Sequence, residues 1–365
     1  YQTALLDWLA CAAGGAGERT AREALAAGAG LLDRVTAAGV AGHILDYDDT
    51  YSPGVVHASA CAAPAALVLG AELRTTVGAV LDAYSAGFEA AAALARASHP
   101  QLYERGWHPT AVCGTVGAAT AAARLLGLEE AERDAAAALA LLRAGGLRAV
   151  FGSDGKAVQV GMAAAAGVQA ARLAAAGVGV PLGAAAEGFA QAFGGRWATA
   201  DPDAPAIREN WIKPWPCCLF THSTIDAVSR LGGRAGPVTV TVHPLARQAA
   251  AHDDAADGLQ AKFSIPYVAA WTRLHGPPGL AAFSGADGEV RALAREVEVV
   301  TDPALGEWEA RIDGIRVEYA PGSPQNPLDQ ATLSAKNHDL AGDRLDGILD
   351  DPARPAADVL AAGAI

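Results

Sequence analysis

Basic residues are scarce in this sequence. Of its 365 residues, 27 are Lys or Arg and 40 are Asp or Glu, which gives a formal net charge of -13. This charge would repel a phosphate backbone, so it argues against a nucleic-acid partner, and an anionic small molecule would need a local basic pocket. Lysine is the rarer of the two basic residues, since it occurs only at positions 156, 213, 262 and 336.

Cysteine and long apolar runs are also in short supply. The five cysteines are odd in number and have no CxxC spacing, so we expect free thiols in a reducing compartment. Arg, Glu, Gln or Gly interrupts the alanine-rich stretches before they reach membrane-spanning length, and the first residues, YQTALLDWLACAAGG, contain no basic leader. We therefore expect a soluble, cytoplasmic protein without a membrane partner.

What the sequence does have is enough apolar material, 52% of its residues, for a sizeable core. Apolar residues recur at helical spacing up to about residue 210, where Pro and Asp cluster in ATADPDAPAI. Beyond it, GPVTVTVH (236–243) and EVEVVT (296–301) alternate as strands do, and IDGIRVEY (312–319) has the Asp-Gly of a tight hairpin.

Residues 260–274 lie between these predicted strands and have a helical pattern, and helix is predicted again from Asp329 to about residue 349. The fold class predicted is mainly α, with a smaller α+β domain inserted into a large helical one. The predicted domains are 1–210 (helical, first part), 211–322 (α+β) and 323–365 (helices that return to the helical domain).

Two lysines stand in suggestive surroundings. Lys156, in FGSDGKAVQVG, follows a Gly-Asp-Gly turn at the start of a predicted helix, where its ammonium and backbone N–H groups can hold a carboxylate. Lys213 lies between two tryptophans in NWIKPWPCC, at the predicted entry to the second domain. The alternative for both is a surface lysine beside a turn, and we expect Lys262 and Lys336 to be surface residues.

Two histidines are predicted at junctions between a loop and a helix. His108, in RGWHPTAVCG, should lie just before a helix N-terminus, where the helix dipole lowers the pKa of an imidazole and favours a neutral base. His57 follows a Pro-Gly loop and precedes an apolar helix. The alternative for both is capping or packing. The other histidines, His43 among them, we interpret as structural or solvated.

The stretch HILDYDDTYSPGVVH (43–57) contains two histidines and three aspartates, and three interpretations of it compete. The order Asp-Tyr-Asp-Asp matches the acid motif of class II terpene cyclases, although four letters are a weak signal. His43, Asp46, Asp49 and His57 are donors suited to a metal ion. The third interpretation is a metal-free proton-transfer site, with Asp46 and Thr50 one helical turn apart and His57 delivered by the loop.

Six segments taken in order resemble the MmgE/PrpD family, which includes 2-methylcitrate dehydratase, cis-aconitate decarboxylase and iminodisuccinate epimerase. They are HILDYDDTYSPGVVHAS, YSAGFEAAAALA, GWHPTAVCGTVGAATAAARLLGL, AGGLRAVFGSDGKAVQVGMAAAAGVQAARLAAAG, IKPWPCCLFTHSTIDAV and KFSIPYVAAW. The resemblance covers nearly the whole chain. It implies a helical domain with an α+β lid, a homodimer, no cofactor or metal, and a small carboxylate as substrate.

The resemblance also implies a set of site residues. They are Asp46, Thr50, His57, His108, Lys156, Lys213 and Tyr267. We expect His108 to be the principal proton-transfer residue with His57 or Asp46 as its partner, Lys156 and Lys213 to bind carboxylate and stabilise the intermediate, and Thr50 and Tyr267 to orient the substrate. Asp48 and Asp49 of the same motif are expected to serve capping or orientation.

Family chemistry of this kind removes a proton beside a carboxylate and forms an enolate-like intermediate. That intermediate then loses hydroxide, loses carbon dioxide or is reprotonated on its other face. Dehydration, as in 2-methylcitrate dehydratase, is the activity we expect first, followed by epimerisation and decarboxylation, in primary or specialised metabolism. A homologue that binds without turnover and a metal-dependent hydrolase are the remaining alternatives.

Overall fold

The computed structural model describes residues 1–232 and 237–365, and helices dominate it. Its α-helices, in chain order, are α1 (Gln2–Gly15), α2 (Arg19–Ala26), α3 (Leu31–His43), α4 (Ala58–Glu72), α5 (Val77–Ser98), α6 (Gln101–Glu104), α7 (Pro109–Leu125), α8 (Glu130–Arg143), α9 (Gly155–Ala175), α10 (Leu182–Phe193), α11 (His222–Ser229), α12 (Pro244–Ala249), α13 (Gly258–Ala261), α14 (Ile265–His275), α15 (Gly288–Ala294), α16 (Gln330–Ala341) and α17 (Ala356–Ala362). Its strands are β1 (Thr50–Tyr51), β2 (Asn210–Trp211), β3 (Val238–Val242), β4 (Val297–Thr301), β5 (Ala310–Ile312) and β6 (Ile315–Val317). The mainly α fold class with a smaller α+β part is confirmed.

The described residues form two compact units. The first comprises Tyr1–Ala149, Gly155–Ile212 and Asp329–Ile365, and the second comprises Val150–Asp154 and Lys213–Leu328. The first unit is therefore built from separate parts of the chain, and the second is inserted between them.

Small residues set the core of the first unit, where α3, α4, α5, α7 and α9 pack against one another. A Cβ added at Gly39 would lie 2.8 Å from the Cα of Gly161, and one at Gly117 would lie 2.6 Å from the carbonyl oxygen of Gly87. Real Cβ atoms do not approach so closely, so these glycines allow α3 to meet α9 and α5 to meet α7 at short range. The small residues of these helices thus allow close helix packing.

The helices after Asp329 belong to the first unit, where α16 contacts α1 and α17 contacts α4. Lys336 of α16 is buried, where it forms an ion pair with Asp7 and donates a hydrogen bond to the carbonyl oxygen of Tyr47 (2.9 Å). Lys262 of the second unit is also buried and donates to the carbonyl oxygen of Pro216 (3.0 Å). The prediction that these two lysines lie on the surface is therefore wrong, because each satisfies a buried oxygen.

The second unit contains a four-stranded sheet in the order β4-β3-β5-β6, in which β3 pairs parallel with β4 and antiparallel with β5. The predicted hairpin is confirmed: Asp313 (φ 47°) and Gly314 (φ 85°) join β5 to β6 with two left-handed residues. Of the first predicted strand, 236–243, Gly236 lies outside the described residues. The helix predicted over 260–274 is broken, because Ser264 caps α14 at its N-terminus and accepts from Tyr267 N (3.1 Å).

All five cysteines are buried and free. Among the described residues, none of the helices combines the length and the apolar character needed to span a bilayer.

Candidate functional site in the first unit

The stretch 43–57 is a turn and a strand, not a helix. Helix α3 ends at His43, and Asp46 then adopts a left-handed conformation (φ 52°), which aspartate tolerates better than most residues. Thr50 follows in β1, paired with Trp211 of β2. The prediction that Asp46 and Thr50 lie one helical turn apart is therefore wrong.

Three helix N-termini supply one cationic group and two imidazole groups of the site. His57 is the N-cap residue of α4, His108 is the N-cap residue of α7, and Lys156 lies in the first turn of α9. A hydrogen bond from the backbone N–H of His57 to Thr110 Oγ1 (3.1 Å) joins the first two termini. Since the N-terminus of a helix carries partial positive charge, this arrangement favours a bound anion.

Asp48 is the shared acceptor of the site. Its Oδ2 lies 2.8 Å from Nδ1 of His43 and 3.1 Å from Nδ1 of His57, and the residue is fully buried. Burial acts to raise the pKa of Asp48, but the two histidines hold that pKa well below its usual value. An ionised carboxylate only accepts hydrogen bonds, so both histidines carry a proton on Nδ1.

His43 connects this carboxylate to Lys156. Its Nε2 lies 2.7 Å from Lys156 Nζ, while its Nδ1 donates to Asp48. Burial lowers the pKa of His43, and although Asp48 raises it and Lys156 lowers it further, the net direction is down. His43 is thus a neutral bridge between an anion and a cation, and it is buried, so the expectation of a solvated residue is wrong while a structural role is untested.

Lys156 also donates to Asp46 Oδ1 (2.9 Å), and Asp46 Oδ1 lies 3.9 Å from Nε2 of His57. Thr50 is close as well, with Oγ1 3.5 Å from Nδ1 of His57. The structure therefore brings together four of the predicted residues, Asp46, Thr50, His57 and Lys156, around Asp48 and His43.

His108 completes the set. Its ring stacks 6.0 Å from that of His43, and Gln159 Nε2 lies 2.7 Å from its Nδ1. Burial lowers the pKa of His108 well below its usual value, and Lys156 and the neighbouring histidines lower it further. A neutral imidazole was expected at this position, but burial is the first cause and not the helix dipole that the sequence suggested.

The chemical capacity of the cluster follows from these protonation states. In its neutral form, with the Nδ1 proton donated to Asp48, His57 presents Nε2 as a proton acceptor, and Asp46 and Asp48 both stabilise the imidazolium that proton uptake forms. Lys156 and the helix N-termini stabilise negative charge nearby. The cluster can therefore remove a proton and hold the anion that results.

Comparison with known proteins agrees with the resemblance in sequence. Residues 32–199 match the MmgE/PrpD N-terminal domain, and residues 215–351 match the MmgE/PrpD C-terminal domain. This chain belongs to the MmgE/PrpD family. The family expected from the sequence is confirmed.

Curated relatives of this MmgE/PrpD chain include three proteins named cis-aconitate decarboxylase. Those from Homo sapiens and Mus musculus are 31% and 30% identical over 206 residues, which is 52% of this chain and 42% of each relative. The one from Aspergillus terreus is 28% identical over 214 residues, 52% of this chain and 43% of the relative. The matched region thus spans less than half the length of each relative.

Lys213 and Tyr267, the two remaining residues implied by the family, belong to the second unit and are buried there. The hydroxyl of Tyr267 donates to the carbonyl oxygen of Ala282 (3.2 Å) and accepts from the backbone N–H of Asp287 (3.1 Å). These bonds orient the ring within its own unit. A role for Lys213 in chemistry and for Tyr267 in substrate orientation stays a prediction.

The residues that lie close enough together to hold a metal ion differ from the set expected from the sequence. Ligand atoms of His43, Asp48 and His57 lie within 4.8 Å of one another. Hydrogen bonds already join these atoms, and the ammonium of Lys156 beside His43 would repel a dication. Asp49 instead accepts from Asn210 Nδ2 (2.7 Å), so we describe the cluster as a hydrogen-bond network.

Asp49 has the opposite electrostatic environment from Asp48. Burial, reinforced by the charge of Asp7, raises its pKa to about 8 from an ordinary value of 3.8. Asp49 is therefore protonated near neutral pH in the folded protein and ionised in the unfolded chain. Its contribution to stability is full below pH 3.8 and is lost as the pH rises towards 8.

Asp49→Asn should for this reason stabilise the protein relative to wild type by an amount that grows with pH. The difference in free energy of unfolding should rise between about pH 4 and pH 8, by at most about 1.4 kcal/mol per pH unit. Urea unfolding at four pH values measures it, with the exposed Asp339→Asn as control. A difference that stays flat or falls with pH would contradict the protonated state of Asp49.

Proposed function

We propose that this chain carries the catalytic groups of a metal-independent lyase for a small polycarboxylate. The observation that supports it most is the shared acceptor Asp48, which makes Nε2 of His57 a proton acceptor beside the ammonium of Lys156. A base next to a cation is what the removal of a proton adjacent to a carboxylate requires, because that proton becomes acidic only when the enolate charge is stabilised.

The proposed reaction begins when His57 Nε2 takes the proton from the carbon beside the substrate carboxylate. Lys156 and the N-termini of α4, α7 and α9 stabilise the enediolate, at roughly 3 kcal/mol for each well-placed donor. The hydroxyl group on the neighbouring carbon then leaves with the proton that His57 holds, so that water is released and His57 is neutral again. This gives His57 the base role that the sequence hypothesis assigned first to His108.

Dehydration is the preferred outcome because it uses both functions of His57, as base and then as acid, with Asp46 and Asp48 stabilising the imidazolium between the two steps. A hydroxy di- or tricarboxylate such as 2-methylcitrate is the substrate class. Epimerisation would need the same base and reprotonation on the opposite face.

Decarboxylation is the second candidate, and the names of the three relatives favour it. In that reaction carbon dioxide leaves from an unsaturated tricarboxylate, and an acid protonates the remaining carbanion. It needs an acid but no initial base, so the two reactions place opposite demands on His57.

The test is proton NMR of the chelator-treated protein in D2O with 2-methylcitrate, citrate, cis-aconitate, substituted malates and an amino-dicarboxylate. We expect the signals of an unsaturated acid, which are a methyl group on a double bond from 2-methylcitrate or a vinyl proton from citrate, and no reaction after His57→Phe. The control His338→Gln removes an exposed histidine of α16 and should leave the rate unchanged.

Each other outcome would change the proposal in a defined way. Loss of a carboxylate from cis-aconitate would establish the decarboxylase, and deuterium uptake without elimination would establish the epimerase. Activity that the chelator removes would restore the metal interpretation. No reaction with any compound would contradict this substrate class and favour a binding homologue. The homodimer and the cytoplasmic location stay predictions.

A further inference from the structure

The side-chain amide of Gln159 forms a hydrogen bond with the ring of His108. Gln159 lies on α9 three residues after Lys156, so both side chains project from the same helix face. Its Nε2 lies 2.7 Å from His108 Nδ1 and donates to the carbonyl oxygen of Leu147 (3.2 Å). Its Oε1 accepts from the backbone N–H of Leu147 (2.8 Å).

The contact with Leu147 fixes which end of the amide faces the histidine. A backbone N–H only donates, so the amide oxygen must face Leu147 N, and the NH₂ group must face His108. Pairing of Trp107 with Leu147 and a hydrogen bond from His108 N to the carbonyl oxygen of Gly146 (3.0 Å) hold the two segments side by side. The amide therefore has one orientation.

Only glycine fits this arrangement at position 146. Its φ of 125° is a backbone conformation that side chains disfavour, and an added Cβ would lie 2.6 Å from the Cβ of Ala111. The segment that orients Gln159 therefore needs glycine at position 146, because its backbone lies close to Ala111 of α7.

An acceptor at Nδ1 and a neutral ring together place the proton of His108 on Nε2. We infer that Gln159 is a positioning residue that sets this tautomer, so that His108 donates a hydrogen bond from Nε2 to the anionic intermediate while His57 acts as the base. The inference rests on the proposed function for the donor role, but not for the tautomer.

The two histidines are in this way prepared for opposite roles by different partners. The carboxylate of Asp48 accepts from Nδ1 of His57, and the amide of Gln159 donates to Nδ1 of His108. Lys156, His43, His57 and Asp46 also act on the pKa of His108 through their charges, and Gln159 is the residue whose amide contacts its Nδ1.

The first measurement is of the tautomer itself, by long-range proton–nitrogen NMR of protein labelled with ¹⁵N-histidine. The His108 signals are assigned from their loss in His108→Gln. We expect the Nε2–H form in wild type. Gln159→Glu should convert it to the Nδ1–H form, because a carboxylate accepts from Nδ1, and Gln159→Met should leave no fixed preference.

The second measurement is the rate of the lyase reaction as a function of pH. Gln159→Met and Gln159→Glu should both lower kcat, by on the order of 10²-fold near pH 8, as for the loss of one donor to an oxyanion. The deficit of Gln159→Glu should shrink as the pH falls, since the new carboxylate raises the pKa of His108 and protonation restores Nε2–H. The deficit of Gln159→Met should not shrink.

Different results would overturn the inference and the proposed function. An Nδ1–H tautomer in wild type, or one unchanged in Gln159→Glu, would overturn the inference whatever the enzyme does. Parallel losses of stability and rate in both variants, with the same pH dependence, would reduce Gln159 to a structural residue. The predicted tautomers in a protein that turns over no polycarboxylate would support the positioning role and contradict the proposed function.

Discussion

Asp48→Asn should reduce turnover by about 10³- to 10⁴-fold while the protein remains folded. The carboxylate accepts from Nδ1 of both His43 and His57, and only an anion guarantees both acceptor contacts. Both contacts use the same oxygen, Oδ2, so an asparagine can place its NH₂ group there against both rings, which moves their protons to Nε2. Nε2 of His57 would then carry a proton and could not act as the base, and the imidazolium would lose its counter-charge.

The adjacent Asp49→Asn is a matched control, because it makes the same chemical change one residue away. Asp49 faces Asn210 and is protonated near neutral pH, so its variant should turn over substrate at close to the wild-type rate. Steady-state rates of both variants, with circular dichroism to confirm folding, make the comparison. Equal rates for Asp48→Asn and Asp49→Asn would remove Asp48 from the mechanism.

Lys156→Met should lower kcat/KM by on the order of 10³-fold, because the ammonium that stabilises the enediolate is gone. It should also raise the pKa values of His108 and His43, since the charge of Lys156 lowers both. The histidine titrations by NMR therefore report the loss of charge independently of turnover.

Stability complicates this variant, because Asp46 would keep a buried charge without the ammonium, at a cost of about 3–5 kcal/mol. The double variant Asp46→Asn with Lys156→Met removes both charges and should recover most of that loss in urea unfolding. It should remain inactive. Recovery of activity together with stability would mean that Lys156 serves only to neutralise Asp46.

Much of the fold could be predicted because its signals are local. The alternation of residues 297–301 and the Asp-Gly at 313–314 have the same physical cause in any protein, the two-residue repeat of a strand and the left-handed turn of a hairpin. The break before α14 was missed, although Ser264 followed by Ile-Pro is a helix start signal.

The parts of the site that depend on neighbouring residues in the sequence were predictable. Proline after His108 and the apolar run after His57 predicted two helix N-termini, and both residues are N-caps. The turn at Asp46 was not predictable from spacing, because its left-handed backbone depends on contacts with distant residues. Lys156, for example, lies 110 residues further along the chain.

Three members of the site were missed as functional residues for the same reason. His43 ends an apolar helix, and its partner Lys156 is 113 residues away. Asp48 was expected only to cap or orient, since nothing local shows that two imidazoles share it. Gln159 had a usable signal, its position three residues after Lys156 on one helix face.

The three helix N-termini separate the attraction of an anion, which is due to the backbone, from the reaction, which is due to side chains. The positive ends of α4, α7 and α9 belong to the peptide backbone, so a point mutation of a side chain leaves them in place. A descendant that exchanges His57 or Lys156 for another residue would keep the same partial positive charge for an anion. New reactions can therefore arise within one inherited mode of recognition, and a member that has lost its chemistry keeps a starting point from which to regain one.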